Sequence, residues 1–314
     1  MNDSKETGMG VAVFGEALVD DFGSEQVVGG TPFNAARHLA ALGTPALMIT
    51  RIGDDAGGAL VRAEFERYGM TQDGLQCDPA HATGRVAVER DQRGHRFHIL
   101  PDQAYDHIEA APACALLAQQ PPRVLYFGTL AQRHPAARAA LLALLAASRA
   151  TRYLDLNLRE GQYSEPTVFE SLRQADIVKL NEDELAVLFD WYAHIPPHGL
   201  RPDDPQLHAA CGALLENFDL QGLVLTLGAR GAMYFGRDGR VLREQGNELP
   251  YRVVDTVGAG DAFSAVFLHG LLQEWDLALT MARANAFAGA VCGLSGAVPA
   301  DMAFYQPWLQ RWNA

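Results

Sequence analysis

The chain has 314 residues, of which 48% are hydrophobic and 20% charged, a composition typical of a globular protein with one large core. The formal net charge of −13 argues against a nucleic-acid-binding surface, which requires clustered Lys and Arg. No apolar stretch is long enough for a membrane span. The first ten residues lack the features of a secretion signal, and the four cysteines are far apart without a C-x-x-C pair. We therefore expect a cytoplasmic protein without a disulfide framework or zinc knuckle.

Short apolar runs alternate with longer helix-like segments, as expected when helices cover a mostly parallel sheet. Buried strands are predicted at 11–18, 45–53, 123–128, 152–157, 176–181 and 223–228. Helices are predicted over 32–42, 58–68, 136–147, 182–189, 207–217, 262–274 and 277–292. The predicted fold class is α/β.

One region departs from this alternation. Residues 84–100 alternate in polarity with period two across a turn, which predicts an antiparallel hairpin. With residues 20–28 this hairpin would form a small sheet outside the main one, a lid over a ligand spanning about residues 18–30 and 83–102. A hairpin that only extends the edge of the main sheet is the alternative.

The stretch VDTVGAGDAFSAVF at 254–267 places two glycines and an aspartate where a helix begins. Gly258 and Gly260 leave the backbone N–H groups of the turn open to an anion, and the helix adds its positive end. Asp261 is either a residue that caps the helix or a general base beside a phosphate site. The sequence contains no Walker A loop, G-x-x-x-x-G-K-[ST]. It also lacks a dinucleotide fingerprint, because Phe263 occupies the position of the third glycine.

The sequence DTVGAGD at 255–261 resembles the second signature of the PfkB (ribokinase-like) family of carbohydrate kinases. GGTPFNAARHLAALG at 29–43, followed by Gly53, resembles the first signature. This resemblance implies a single ribokinase-like domain over residues 1–314, with three α/β/α layers, that transfers the γ-phosphoryl group of ATP to a sugar hydroxyl.

The substrate is less constrained than the family. GEALVD at 15–20 is most similar to fructokinases and 2-keto-3-deoxygluconate kinases, so fructose is the first candidate, followed by 2-keto-3-deoxygluconate and then a nucleoside. Two other classes stay open: a sugar- or nucleotide-binding protein without turnover, and a nicotinamide-dependent oxidoreductase. The retained aspartate disfavours the first, and the late position of the glycine motif disfavours the second.

The resemblance also implies site residues. Asp261 would be the catalytic base, and the backbone of Gly258, Ala259 and Gly260 would form the anion hole. The sugar would be bound by Asp20, Gly29, Gly30 and Asn34, with Arg159 of the DLNLR motif as a further partner of sugar or phosphate oxygens.

For ATP, the resemblance implies a group of residues along the second half of the chain: Asn181, Thr226, Gly228, Gly231, Gly258, Gly260 and Asn285. Glu184 would act on Mg²⁺ through water, although an acidic first helical turn would explain Asn181 and Glu184 equally well. Backbone carbonyls around Asp255 and Val257, with those near 290–296, would suit a monovalent cation such as K⁺. The short segment between Asp20 and Gly29 leaves open whether the lid supports a homodimer.

Several local expectations complete the prediction. Asp20 is placed at the end of the first strand, and Thr31 and Pro32 are expected as the cap and first residue of the following helix. His95 and His98 would lie on the lid surface or face the substrate. His194 and His198 are not expected to bind zinc, because the two prolines between them prevent a regular helix.

Overall fold

The structure is a computed structural model that describes residues 9–91, 94–193, 201–246 and 252–312. Its strands are β1 (Met9–Phe14), β2 (Leu18–Asp21), β3 (Gln26–Gly29), β4 (Ala46–Gly53), β5 (Leu75–Asp78), β6 (Gly84–Asp91), β7 (Gly94–Ile99), β8 (Pro122–Phe127), β9 (Thr151–Asp155), β10 (Ile177–Asn181), β11 (Gly222–Thr226), β12 (Gly231–Gly236) and β13 (Val241–Gln245).

The α-helices are α1 (Thr31–Ala41), α2 (Ala56–Arg67), α3 (Ala110–Gln119), α4 (Pro135–Ala147), α5 (Glu165–Gln174), α6 (Glu182–Leu188), α7 (Pro205–Asn217), α8 (Ala259–Leu272), α9 (Leu277–Val291) and α10 (Gln306–Trp312). Short 3-10 helices include Ala104–His107 and Gly228–Arg230. No helix in these described ranges combines the length and the apolarity needed to cross a membrane.

The chain packs as two compact units. The first comprises Met1–Tyr126, Ala131–Ala150 and Tyr305–Ala314, and the second comprises Phe127–Leu130 and Thr151–Phe304. In the first unit the strand order is β8-β1-β4-β5, with β4 parallel to both β1 and β5. In the second the order is β13-β12-β11-β10-β9; β9, β10 and β11 are parallel, and the last two strands antiparallel.

The first unit also contains a small four-stranded sheet with the order β3-β2-β6-β7. The predicted hairpin is present as β6 and β7, in which Val86 is paired with Ile99. β2 pairs with β6 in parallel, and β3 pairs with β2 in antiparallel orientation at the edge of the sheet. This sheet is separate from the sheet that contains β8, β1, β4 and β5. The prediction of a second small sheet is therefore confirmed, and the alternative, a hairpin that extends the edge of the main sheet, is wrong.

The α/β class is confirmed, and each predicted buried run corresponds to a strand. The first run needs a correction, because it is divided between β1 and β2. Gly15 adopts φ 151° after β1, a conformation that L side chains rarely adopt, and the chain leaves the large sheet there. Asp20 consequently lies in β2 of the small sheet and not at the end of the first strand.

The predictions missed the helices α3, α5 and α10 and the strands β5, β12 and β13. His194 and His198 lie outside the described residues, and of His95 only the backbone, in β7, is described. His98 is exposed on β7.

Candidate active site

The glycine turn before α8 is built around a left-handed residue. Gly258 is the N-cap of α8 with φ 78° and offers no side chain for capping. A Cβ at this position would lie 2.4 Å from the Cα of Ala297, so only glycine fits both the conformation and the space. Asp261 is the third residue of the helix and is 8% exposed. It is therefore not the N-cap residue, and the positive end of the helix favours its ionised form.

A buried lysine lies directly beneath this turn. The Nζ atom of Lys179 is 3.0 Å and 3.2 Å from the two carboxylate oxygens of Asp155, its neighbour across β9 and β10. A Cβ at Gly260 would lie 2.8 Å from the same Nζ, so the glycine lets the helix start approach the ammonium group. The lysine thus places a positive charge under the first turn of α8.

The environment of Lys179 keeps it charged. Burial works against the ammonium form, but attraction by Asp155, Glu184 and Asp261 outweighs burial and raises the pKa of Lys179. The Asp155 carboxylate also accepts a hydrogen bond from the Ser264 hydroxyl at 2.8 Å. Each oxygen of this fully buried carboxylate therefore has a hydrogen-bond donor, as a charge at this depth requires.

Asn181 and Glu184 form a capping box at the start of α6. The Asn181 side chain accepts the Glu184 N–H at 2.9 Å, and the Glu184 carboxylate accepts the Asn181 N–H at 2.8 Å. The other Glu184 oxygen accepts the N–H of Leu158 at 2.9 Å. Burial raises the pKa of Glu184, while Lys179 acts in the opposite direction. A structural role for this pair is therefore established, and it holds a buried carboxylate beside the lysine.

Four of the seven residues predicted for ATP lie together at one edge of the sheet in the second unit. Asn181 is paired with Thr226 across β10 and β11, at the carboxyl ends of parallel strands, where ligands of open α/β sheets bind. Asn285 donates its amide to the carbonyl of Gln245 at 3.2 Å, and Gln245 is paired with Gly231. Thr226 and Ala232 are likewise paired, so the four predicted positions share one corner of the sheet.

The segments predicted around a monovalent cation are joined to each other. The N–H groups of Val254 and Asp255 both donate to the carbonyl of Cys292, at 2.8 Å and 3.2 Å. The Asp255 carboxylate accepts N–H groups from Val257 and Gly296. The chain before α8 and the chain after α9 are thus held side by side.

The predicted sugar residues cluster at the start of α1, within the first unit. Gly30 is the N-cap with φ 105°, and a Cβ there would lie 2.6 Å from the carbonyl oxygen of Glu16. The cap is thus Gly30 and not Thr31, which is the first helical residue, because the tight approach to Glu16 requires glycine. At Gly29, a Cβ would meet the Asp20 carboxylate at 2.6 Å, so Asp20 lies across this strand pair.

Asn34 is oriented by a buried arginine. The N–H of Asn34 donates to the Gly30 carbonyl at 2.8 Å, and Arg37 Nη2 donates to Asn34 Oδ1 at 2.5 Å. The same guanidinium group donates to the Val28 carbonyl and pairs with Glu64 at 2.7 Å. Because arginine only donates, the amide oxygen of Asn34 faces Arg37 and its NH₂ group lies at the other end.

Sequence reasoning missed four residues around the two helix starts: Lys179, Asp155 and Ser264 near α8, and Arg37 near Asn34 of α1. Lys179 carried a signal, because it is one of only two lysines in the chain and lies within an apolar strand. Arg37 occupies an apolar helix and is 1% exposed. Arg159, in contrast, is exposed in the loop after β9.

Comparison with known proteins gives the class. The model of the pfkB family carbohydrate kinases matches residues 11–302, and the chain belongs to this family. A fructokinase from Klebsiella pneumoniae is 30% identical over 278 residues, covering 82% of this chain and 83% of that protein. The chain is accordingly an ATP-dependent phosphotransferase whose acceptor is a sugar hydroxyl.

Two solved structures have the same fold. A double mutant of fructokinase from Vibrio cholerae, bound to fructose, ADP and potassium ion, is 25% identical with a TM-score of 0.74, covering 95% of this chain and 98% of that chain. A sugar kinase from Pyrococcus horikoshii in complex with ATP is 24% identical with a TM-score of 0.72, covering 91% and 93%. The predicted ribokinase-like α/β fold is confirmed.

Proposed function

We propose that this kinase is a fructokinase, with Asp261 as the base that accepts the proton of the attacking sugar hydroxyl. The observation that carries the proposal is the buried Asp261 in the first turn of α8, beside a glycine-capped helix start that suits a phosphoryl anion. Phosphoryl transfer depends mainly on positioning and charge stabilisation, so an aspartate stabilised by the helix end needs no unusual basicity.

We propose that Gly258, Ala259 and Gly260 stabilise the transferring phosphoryl group through their backbone. The buried ammonium of Lys179, 3.0 Å from Asp155, supports this role because it adds positive charge beneath the turn. The corner formed by Asn181, Thr226, Gly231 and Asn285 is the proposed nucleotide site, together with Gly228. The relatives named fructokinase support fructose as the acceptor.

The residues also fit the metal ions of this chemistry. Mg²⁺ keeps several water ligands, and we propose that the buried Glu184 carboxylate acts on Mg²⁺ through water. Bound there with ATP, Mg²⁺ would neutralise phosphate charge. We propose that backbone carbonyls of Asp255, Val257 and residues 292–296 hold a monovalent cation, K⁺, because hydrogen bonds hold these two segments side by side.

For the sugar, we propose Asp20, Gly29, Gly30 and Asn34 as ligands, with Arg159 as a further contact. The Asn34 amide held by Arg37 supports this assignment, because a fixed NH₂ group can donate to a sugar oxygen. The small sheet that contains Asp20 is the proposed lid. A cytoplasmic location and a homodimer stay predictions; sedimentation of the purified chain would test the dimer.

The proposal is tested by ADP release in Mg²⁺ and K⁺ with four acceptors: fructose, 2-keto-3-deoxygluconate, ribose and adenosine. We expect the highest kcat/KM with fructose. A higher value for another acceptor would move the assignment to that sugar or nucleoside. No ADP release with any of them, from protein that binds ATP, would contradict the proposal.

A further inference from the structure

We propose a second site in this protein, a binding site for a divalent transition metal of the zinc type, formed by His81, Asp102 and His107. One ligand atom from each of these residues lies within 4.8 Å of the others. His107 Nε2 is 2.8 Å from Asp102 Oδ1, and His81 Nε2 is 3.7 Å from the same oxygen. Two ligand atoms on a tetrahedral zinc ion are about 3.4 Å apart, so these separations bracket the required value.

The tautomer of His81 is set for metal binding. His81 Nδ1 lies 3.0 Å from the Asp78 carboxylate. Because a carboxylate only accepts hydrogen bonds, Nδ1 carries the hydrogen and donates it, and the lone pair is on Nε2. Nε2 is the atom that faces Asp102. A histidine that donates its second N–H to a carboxylate is the usual arrangement around protein-bound zinc, because the carboxylate fixes the ring and raises its basicity.

The supporting carboxylate is itself held firmly. Asp78 is 3% exposed and accepts the N–H groups of Ala80 and His81, at 2.8 Å and 3.1 Å. Arg51 Nε lies 2.9 Å from Asp78, while Arg51 Nη1 donates to the His107 carbonyl at 3.0 Å. One arginine thus positions both histidine segments.

A third histidine packs against the group without joining it. The ring of His107 stacks on that of His81 at 3.7 Å between centroids, and the centroid of the His134 ring lies 4.5 Å from that of His107. His134 Nδ1 accepts the N–H of Ala136 at the start of α4, so its lone pair faces the helix. The metal would therefore have three protein ligands and an open position for water or another small donor.

A metal bound here would link the two ends of the β6–β7 hairpin. His81 precedes β6 by three residues, and Asp102 follows β7 by three residues, with φ 55° in the left-handed region. The two ends of the β6–β7 hairpin would be joined through one ion, and both would be joined to His107 in the helix Ala104–His107. Coordination requires the two stacked imidazole rings to tilt toward a shared point.

The test uses the full chain freed of metal with EDTA and dialysed without ATP or sugar. Zn²⁺ binding is measured by equilibrium dialysis with elemental analysis, and Co²⁺ is added as a probe whose visible absorption reports coordination geometry. We expect one equivalent of Zn²⁺, an affinity at least tenfold lower for His107→Ala, and a 10–100-fold loss for Asp78→Asn. His98→Ala, which removes an exposed histidine of β7, is the matched control and should bind as the wild type does.

Asp102→Asn gives a second variant that leaves the core intact, because this side chain is 68% exposed. It should weaken Zn²⁺ binding by at least tenfold with an unchanged circular dichroism spectrum. Asp261→Asn should keep the full equivalent, which separates this site from the kinase site. The proposal is overturned if the wild type retains no Zn²⁺, or if His107→Ala and Asp102→Asn both bind Zn²⁺ with wild-type affinity.

Discussion

The starts of α1 and α8 both have a glycine N-cap at positive φ, but the charges around the two helix starts differ. Each helix follows a glycine N-cap with positive φ, Gly30 at 105° and Gly258 at 78°, and neither cap has a side-chain hydrogen bond. The first turn of α1 has no acidic residue, and its Asn34 is held by Arg37. The first turn of α8 has Asp261, with Lys179 beneath it. A neutral amide suits a polyol, whereas a carboxylate and an ammonium suit proton and phosphoryl transfer.

The largest expected effect comes from removing the charge of the α8 turn. Asp261→Asn should lower kcat by about 10²–10⁴ with a smaller change in KM, because the amide cannot accept the hydroxyl proton. Steady-state ADP release measures this effect, and Asn34→Asp, which adds a charge at the other helix start, serves as its counterpart. Near-normal turnover of Asp261→Asn would show that the start of α8 does not supply a proton-accepting carboxylate, the feature that distinguishes it from the start of α1.

Lys179→Met should destabilise the fold, since it leaves the fully buried Asp155 carboxylate without its ammonium partner. Breaking a buried pair on one side costs about 3–5 kcal/mol of unfolding free energy, which urea denaturation would measure. The double variant Lys179→Met/Asp155→Leu should regain much of this loss, because no unpaired charge is left. If Lys179→Met alone unfolds within about 1 kcal/mol of the wild type, Lys179 does not stabilise the buried Asp155 carboxylate.

Alanine at either glycine N-cap tests whether the two helix starts contribute to different kinetic parameters. Gly30→Ala and Gly258→Ala should each cost about 1–3 kcal/mol, because a Cβ at positive φ is strained and both positions are crowded. Their kinetic effects should diverge: the first should mainly raise KM for the sugar, and the second should mainly lower kcat. If both variants change the same kinetic parameter, the assignment of sugar binding to the start of α1 and of phosphoryl transfer to the start of α8 is wrong.

The last prediction concerns the pH dependence of stability and His269, in the last turn of α8. Burial lowers the pKa of His269 to about 4, and Arg283 adds to the shift. Between this value and the ordinary pKa of 6.5, the unfolded chain binds more protons than the folded chain, so stability falls as the pH falls. From pH 7 to pH 5 this histidine should cost about 2 kcal/mol of unfolding free energy.

His269→Gln should remove that part of the pH dependence, measured by urea denaturation at both pH values. His98→Gln, an exposed histidine, should leave it unchanged. An equal loss of stability on acidification in wild type and His269→Gln would contradict the assignment.

Much of the fold and of the site was predictable from local sequence. The glycine turn at 258–260, Asp261, and the start of α1 at Gly30 lie in continuous motifs, and local steric rules act on neighbours in the chain. The hairpin of β6 and β7 was readable from its alternation for the same reason. Thr31 was misread as the cap because Gly30 is required by contact with Glu16, fourteen positions earlier.

The sequence by itself determined the α/β class, the small sheet, the two helix starts and the family of sugar kinases, because each depends on periodicity or on motifs of neighbouring residues. Only the tertiary structure decided that Lys179 pairs with Asp155, that Arg37 orients Asn34, and that His81, Asp102 and His107 converge. Residues far apart in the chain meet through strand register and packing, and the charge balance of a buried group depends on partners that no local pattern specifies.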